Sequence, residues 1–236
     1  MSVLEALVYL SVWRAVAEAR GGSVDGYDAR AFAAYFLALM IVHKLTLSSI
    51  TGNFAHGVRE GQIASQLLRP MHPLHFQYAN LIPLRMMMGA TMLPIGVLAI
   101  VLFDARLAPT AGHLAAACLV IPLASFQRAL LDSLIGCLAL WIVRIDGIRD
   151  VYLTLYIFLG GQFVPVSLLP ETARTIAHAL PFYWVLGYPT ELLNGRGDLG
   201  DLPAGLAVLS GRTLAARLTL QAVWPRGTRA LETVGS

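Results

Sequence analysis

The sequence is poor in charged residues, and this shortage excludes a water-soluble domain. Only 13% of the 236 residues are charged, whereas soluble domains carry about 25%. The hydrophobic fraction is 57% and the mean hydropathy is +0.66. This much apolar surface also excludes intrinsic disorder, which needs low hydrophobicity. The chain is therefore predicted to be an integral membrane protein.

Lysine, cysteine and the motifs of common active sites are also scarce or absent. Lys44 is the only lysine, and the sixteen arginines are scattered singly, so no basic patch indicates a nucleic-acid partner. Cys118 and Cys137 lie in one apolar stretch, which indicates neither a disulfide framework nor a metal site. The sequence has no HExxH motif, GxSxG elbow or Walker A loop. We expect no enzymatic activity and no bound metal or cofactor in this chain.

Apolar segments predict an all-α polytopic bundle of about six spans within one transmembrane domain, 1–236. A helical span needs about 20 mostly apolar residues. The first segment, between Glu5 and Glu18, is shorter than that, so the first span is expected to be incomplete. The last segment contains Arg212 and Arg217, and each central arginine costs about 2.5–3.5 kcal/mol. The predicted spans lie near residues 6–19, 32–50, 81–103, 113–143, 151–169 and 203–224.

Two segments between the spans carry more information than ordinary loops. Residues 58–68 have helical periodicity with one apolar and one polar side, and Pro70 follows. Such a helix can rest in the headgroup layer or dock on a partner, although a plain interfacial connector is the simpler interpretation. Residues 160–190 are apolar but rich in Gly and Pro. Their freed backbone groups need partners other than lipid, which favours a folded-back element over an irregular loop.

Two sets of side chains within the spans are candidates for a transport pathway. Arg128 and Asp132 are four residues apart and can pair on one helix face. They form either a gate or, more simply, two costly charges that neutralise each other. Tyr152, Tyr156 and Phe163 recur at roughly helical spacing. They could bind cationic compounds through cation–π contacts, but helix packing explains the same stripe.

Four stretches, in this order along the chain, resemble the permease subunits of type-2 ABC (ABC-2) exporters, closest to the bacterial drug- and viologen-export branch. GYDARAFAAY (26–35) resembles the start of the family's second span, and VREGQIASQLLRP (58–70) resembles its coupling segment. GGQFVPVSLLP (160–170), followed by LPF (180–182), resembles its re-entrant region. RGTRALETVGS (226–236) resembles its basic, glycine-ended C-terminus. The start of the chain departs from the family, because only the last part of a first span is present, and we expect a truncation or a misassigned start.

The resemblance implies a role for two sets of residues. A cytoplasmic coupling helix, which transmits closure of the ATPase, matches Arg59, Gly61, Leu67, Leu68, Arg69 and Pro70. Re-entrant extracellular helices, which cap the pathway, match Gly161, Pro165, Pro170, Pro181 and Phe182. The coupling assignment also places residues 54–75 in the cytoplasm, which the charge distribution alone does not decide.

The function implied is that of the permease subunit of an ATP-driven exporter in the bacterial plasma membrane. It would pair with a second permease, as a homodimer or heterodimer, and with a separate ABC ATP-binding subunit that holds ATP and Mg. A free-standing carrier or channel is the alternative, although the sequence shows no inverted repeat. A membrane-embedded lipid-modifying enzyme is less favoured, because Asp132 alone supplies no convergent catalytic groups. The sequence does not identify the substrate.

Overall fold

The computed structural model of the chain describes residues 3–67, 72–103, 105, 107–142 and 144–234. These residues form an all-α fold, as predicted, with one short hairpin of strands β1 (Ser23–Val24) and β2 (Tyr27–Asp28). The helices are α1 (Val3–Ala19), α2 (Ala29–Leu45), α3 (Ile50–Arg59), α4 (Gln62–Leu67), α5 (Pro73–Phe103), α6 (Ala111–Cys137), α7 (Asp146–Leu159), α8 (Glu171–Ala179), α9 (Tyr188–Asn194) and α10 (Leu202–Val234).

Helix α2 lies at the centre of one half of the bundle. The Asp28 side chain caps its first turn by accepting a hydrogen bond of 2.8 Å from the Ala31 amide. Residues 32–40 are all buried, and a helix that is apolar on every side belongs in the interior. It packs against α1, α5 and α9. The helix ends at Leu45, and the C-cap residue Thr46 donates a 2.9 Å hydrogen bond from its hydroxyl to the Val42 carbonyl.

Helix α6 organises the other half of the bundle. It begins with a capping box between Thr110 and His113, and a 3₁₀ turn (Leu138–Leu140) extends its end. Pro122 lies inside the continuous helix. The helix packs against α3, α9 and α10, so it connects the segment after α2 to the last helix of the chain.

Two helical stretches among the described residues are long and apolar enough to cross a membrane. They are Ala29–Arg59 and Ala111–Leu140, whose most apolar 18-residue windows have mean hydropathies of 1.6 and 1.8. The larger number of about six spans stays a prediction. Helix α7 differs most from its predicted segment, 151–169, because it ends at Leu159. Its 14 residues extend about 21 Å, and the chain then turns at Gly160 and Gly161.

The two arginines of the last predicted span have different surroundings. Arg212 donates a 3.0 Å hydrogen bond from Nη2 to the His178 carbonyl, and its guanidinium lies 5.8 Å from the centre of the Trp184 ring. The Arg212 charge is therefore stabilised by contacts within the protein. Arg217 is exposed, and within the described part of the chain its guanidinium has neither a hydrogen bond nor an ion pair. Both lie in the continuous helix α10.

Candidate functional site

A cluster of four polar side chains, which we call the buried cluster, lies between α6 and α7. Arg128 and Asp132 form an ion pair with a distance of 3.0 Å between Nε and Oδ1. The Tyr152 hydroxyl donates a 2.7 Å hydrogen bond to the same carboxylate oxygen. The Tyr156 ring lies against the guanidinium, with 3.6 Å from Cζ to the ring centre. Four of the five side chains predicted to line a pathway are thus brought together.

The buried cluster keeps two opposite charges away from solvent. The Arg128 and Asp132 side chains are only 6% and 4% exposed. Charges at such a site are tolerated when they are paired and hydrogen-bonded, and a face-on aromatic ring adds a cation–π contact. The Nη1 atom of Arg128 is also buried, and it has no hydrogen-bond partner in the described residues. The guanidinium therefore retains unused donor capacity inside the bundle.

A cavity of about 260 Å³ adjoins the buried cluster. Arg128, Asp132 and Tyr152 lie in its wall, and Tyr156 does not. The other lining residues come from the turn after α2, from α3 and from α7: Ser48, Ser49, Thr51, Gly52, Asn53, Arg149 and Leu153. Eight of the ten lining residues have polar or charged side chains, although carbon atoms form most of the cavity surface.

Phe163 lies apart from the other predicted pathway residues. It follows the end of α7, is 39% exposed, and packs with Tyr9, Trp13 and Phe158 at ring-centre distances of 5.8, 6.4 and 5.5 Å. The cause is the turn at Gly161, which has a φ of +85° and ends the helical periodicity. The predicted aromatic stripe is therefore split into a buried pair and an exposed ring.

Helix α3 packs directly on α6 at the buried cluster. The Thr51 hydroxyl donates a 2.8 Å hydrogen bond to the main-chain carbonyl of Asp132. One turn further along α6, Gly136 permits close approach, because a Cβ there would lie 3.4 Å from Phe54 Cβ and from Thr51 Cα. Phe54 is 1% exposed. Helices α3 and α6 are therefore in direct contact here, and not connected only through a loop.

The segment predicted as one coupling helix, 58–70, is divided in the structure. Helix α3 ends at Arg59 and α4 begins at Gln62, because Gly61 takes a φ of +68° in the turn between them. The Arg59 guanidinium lies 3.6 Å from the Asp146 carboxylate at the start of α7. Leu67 is the last residue of α4, whereas Leu68, Arg69 and Pro70 lie outside the described residues.

The region predicted to cap the pathway folds back onto α2. The Tyr35 hydroxyl donates a 2.8 Å hydrogen bond to the Gly161 carbonyl. Pro165 precedes a 3₁₀ turn (Val166–Leu168), and Pro170 precedes the first residue of α8. These two prolines separate short helical pieces, because proline cannot continue a regular helix.

The LPF segment leads from α8 towards the buried cluster. Pro181 and Phe182 are helical and lead directly into a π-helix (Tyr183–Gly187), which continues into α9. Phe182 is buried, and its ring centre lies 5.8 Å from that of Tyr152. The predicted cap and the buried cluster are therefore neighbours through this aromatic contact.

Glu191 on α9 is a further polar residue of this region, and it was not among the predicted site residues. The Tyr183 hydroxyl donates a 2.7 Å hydrogen bond to its carboxyl group. Burial raises the pKa of Glu191 to about 7, although this hydrogen bond and the charge of Arg196 act in the opposite direction. One signal in the sequence could have indicated it, since Glu191 is the only charged residue in 175–195. Thr51 and Tyr35 carried no such signal.

The polar groups that converge in this region are few in kind. No three His, Cys, Asp or Glu side chains of the described ranges lie close enough together to hold a metal ion. The polar groups that do converge are an ion pair and its aromatic and hydroxyl neighbours.

Comparison with known proteins gives one family. The model of the ABC-2 family transporter protein matches residues 3–235, which is nearly the whole chain. No curated protein matches the chain significantly. The match includes the segment around α3 and α4, the buried cluster and the region from Gly161 to Glu191. The chain is therefore a membrane protein of the ABC-2 transporter family, a family of ABC transporter permeases whose members associate with an ABC ATP-binding subunit.

Proposed function

We propose that this chain is the permease subunit of an ATP-driven exporter and forms half of a substrate pathway with a second permease. ATP and Mg would bind to a separate ATPase subunit on the cytoplasmic side of a bacterial plasma membrane. The observation that carries the proposal is the hydrogen bond from Thr51 to the Asp132 carbonyl, 2.8 Å. It connects α3, the helix that leads into the segment resembling a coupling helix, to the one buried ion pair among the described residues.

The proposed mechanism begins at residues 58–70. Dimerisation of the ATPase on binding ATP would push on α4 and on the turn at Gly61. Helix α3 would pass this movement to α6 at Thr51, and the ion pair of Arg59 with Asp146, 3.6 Å long, would pass it to α7. Both routes converge on the buried cluster, since Arg128 and Asp132 lie on α6 and the two tyrosines lie on α7.

The cavity beside the buried cluster would then change its accessibility between the two sides of the membrane. Arg128, Asp132 and Tyr152 line it, so a displacement of α6 relative to α7 would alter its polar wall. Phe182, in the predicted extracellular cap, contacts Tyr152. This contact would couple the cap to the displacement of α6 relative to α7. Alternating access by two such permeases needs no catalytic group in this chain.

Co-purification and transport test the proposal together. The full chain, extracted from its native membrane in mild detergent, is expected to bring down a protein with a Walker A motif. Arg59→Ala should weaken this association or uncouple it from transport. Arg20→Ala is the control, because Arg20 lies between α1 and the β-hairpin, and it should have neither effect. In inverted vesicles, transport should require Mg-ATP. Recovery of the chain without such a partner, or transport by the chain alone in liposomes, would instead support a free-standing carrier.

A further inference from the structure

A second cavity, which we call the α5–α10 cleft, lies outside the buried cluster. Its volume is about 560 Å³, within the range of about 300–1,000 Å³ usual for ligand sites. The start of α5 forms one wall, α10 forms the other, and α6 forms the floor. The lining residues are His72, Leu74, His75, Tyr78, Phe126, Leu130, Arg217, Leu220, Gln221 and Trp224.

The titratable lining of the cleft is entirely basic apart from one tyrosine. Arg217, His72 and His75 line the cleft, and no carboxylate is among the ten described lining residues. Arg217 is exposed, and its guanidinium has no hydrogen bond or ion pair within the described part of the chain. A cation in apolar surroundings needs a counter-charge, so the cleft favours an anionic group.

The cleft is polar along one line and apolar on both sides of it. Arg217, Gln221 and Trp224 follow each other at spacings of four and three residues, which places them on one face of α10. Beside this line, Leu214 and Leu218 are each 56% exposed on the neighbouring surface of α10, and Phe126 is 40% exposed in the cleft itself. An occupant therefore needs an anionic group and long apolar chains in one molecule.

Tyr78 and Trp224 line the cleft, and Trp224 packs against residues just before α5 and on α3. The Trp224 ring centre is 4.3 Å from that of His72, which precedes α5, and 5.8 Å from that of Phe54. Phe54 belongs to α3, the helix that follows the polar turn after α2. Trp and Tyr are enriched where lipid headgroups meet hydrocarbon, and both line this cleft.

We propose that the α5–α10 cleft is a specific site for an anionic phospholipid of the leaflet at which α5 begins and α10 ends. The lipid phosphate pairs with Arg217, with Gln221 and the two histidines as further hydrogen-bonding partners. The acyl chains lie along Leu220, Phe126 and the exposed leucines of α10. Basic pockets between membrane helices commonly hold anionic headgroups in this way. A free phosphate ion would leave the apolar rim uncovered, which is why a lipid fits better.

Native mass spectrometry of the full chain tests this proposal. The detergent micelle contains equal amounts of phosphatidylglycerol and phosphatidylcholine. We expect the wild-type chain to retain one phosphatidylglycerol in clear preference to phosphatidylcholine. Arg217→Gln should reduce that preference at least fivefold, and Arg217→Lys should keep it within about twofold of wild type. Arg226→Gln is the matched control, because it removes the same charge from the same helix outside the cleft and should leave the preference unchanged.

Three results would overturn the proposal. The first is equal retention of the two lipids by the wild-type chain. The second is loss of bound phosphatidylglycerol when inorganic phosphate is added, which would identify a free anion as the ligand. The third is a lipid-free dimer that Arg217→Gln converts to monomer, since a second copy of the chain would then cover the cleft. A thermal melt of each variant, expected within a few degrees of wild type, confirms that the variants are folded.

Discussion

The hydroxyl of Thr51 on α3 donates a hydrogen bond of 2.8 Å to the main-chain carbonyl of Asp132 on α6. Both residues are buried, and Gly136 allows the two helices to lie in direct contact one turn further along. The carboxylate of the same aspartate accepts hydrogen bonds from Arg128 Nε and from the Tyr152 hydroxyl. A single residue on α6 thus joins the packing of α3 to the buried ion pair.

Removing the Thr51 hydroxyl should loosen this connection without creating a cavity. Thr51→Val keeps the shape of the side chain, and the loss of a buried hydrogen bond costs about 1 kcal/mol. We expect the apparent Tm in detergent to fall by about 2–4 °C, and transport per ATP hydrolysed to fall further in the assembled complex. Thr154→Val is the control, because Thr154 bonds the Asp150 carbonyl on an exposed part of α7. Equal effects of the two variants would contradict the proposed coupling route.

Neutralising one member of the buried ion pair should be far more costly than neutralising an exposed acid. Asp132→Asn leaves the Arg128 charge buried without its counter-ion, and breaking such a pair costs about 3–5 kcal/mol. Asp146→Asn, whose pair with Arg59 is about half exposed, should cost less than about 1 kcal/mol. Thermal unfolding of both variants measures the difference.

The double variant Arg128→Met with Asp132→Asn separates charge burial from packing. If the uncompensated guanidinium causes the loss in Asp132→Asn, removing that charge should restore a large part of the stability. If the loss of stability in the double variant instead equals the sum of the losses in the two single variants, the pair acts through other contacts. Transport should stay impaired in either case, because the polar wall of the cavity is lost.

The buried ion pair could be predicted from the sequence because its geometry is local. Arg128 and Asp132 are four residues apart, so the helical period alone brings them to one face. The partners from other helices could not be predicted in this way. Nothing in the spacing of Thr51, or of Tyr35 with its bond to the Gly161 carbonyl, indicates a contact that depends on how helices distant in sequence pack.

Helix boundaries were harder to predict than helix positions for a related reason. Periodicity continued through Gly61 and hydropathy continued through Gly161, yet both glycines take positive φ values, +68° and +85°. An apolar or amphipathic pattern indicates which residues avoid water. It does not indicate a left-handed turn, because glycine can adopt that backbone conformation but does not have to. The coupling segment was therefore predicted as one helix, and the predicted span 151–169 extended beyond the end of α7.

Glu191 predicts a pH dependence of stability with a defined sign. Its pKa in the folded chain is raised to about 7 from an ordinary value of 4.5, so the folded state holds the proton more tightly. The resulting stabilisation is complete below about pH 4.5 and is lost as the pH rises through about 7. Because the residue as a whole is half-buried, we expect an effect of about 1–2 kcal/mol. The apparent Tm should therefore be higher at pH 5 than at pH 8.

Glu191→Gln should remove this part of the pH dependence. The amide does not ionise, and its oxygen can still accept the hydrogen bond from Tyr183. Melting curves at pH 5 and pH 8 should differ less for this variant than for the wild-type chain. Glu171→Gln, on exposed α8, should leave the wild-type difference in place. The assignment fails if Glu191→Gln and wild type respond identically to pH.

Gly161 should be intolerant of any side chain, because both its backbone and its surroundings demand glycine. Its φ of +85° is strained for other residues, and a Cβ would lie 2.5 Å from the Tyr35 hydroxyl and 3.2 Å from a Val166 methyl carbon. Gly161→Ala should therefore break the hydrogen bond that holds the re-entrant region on α2, and lower stability by about 2–3 kcal/mol. Gly147→Ala is the matched change within α7, where a Cβ meets open space, and it should raise stability by up to about 1 kcal/mol. Apparent Tm values measure both, and a Gly161→Ala chain that melts at the wild-type temperature would show that the turn can take another conformation.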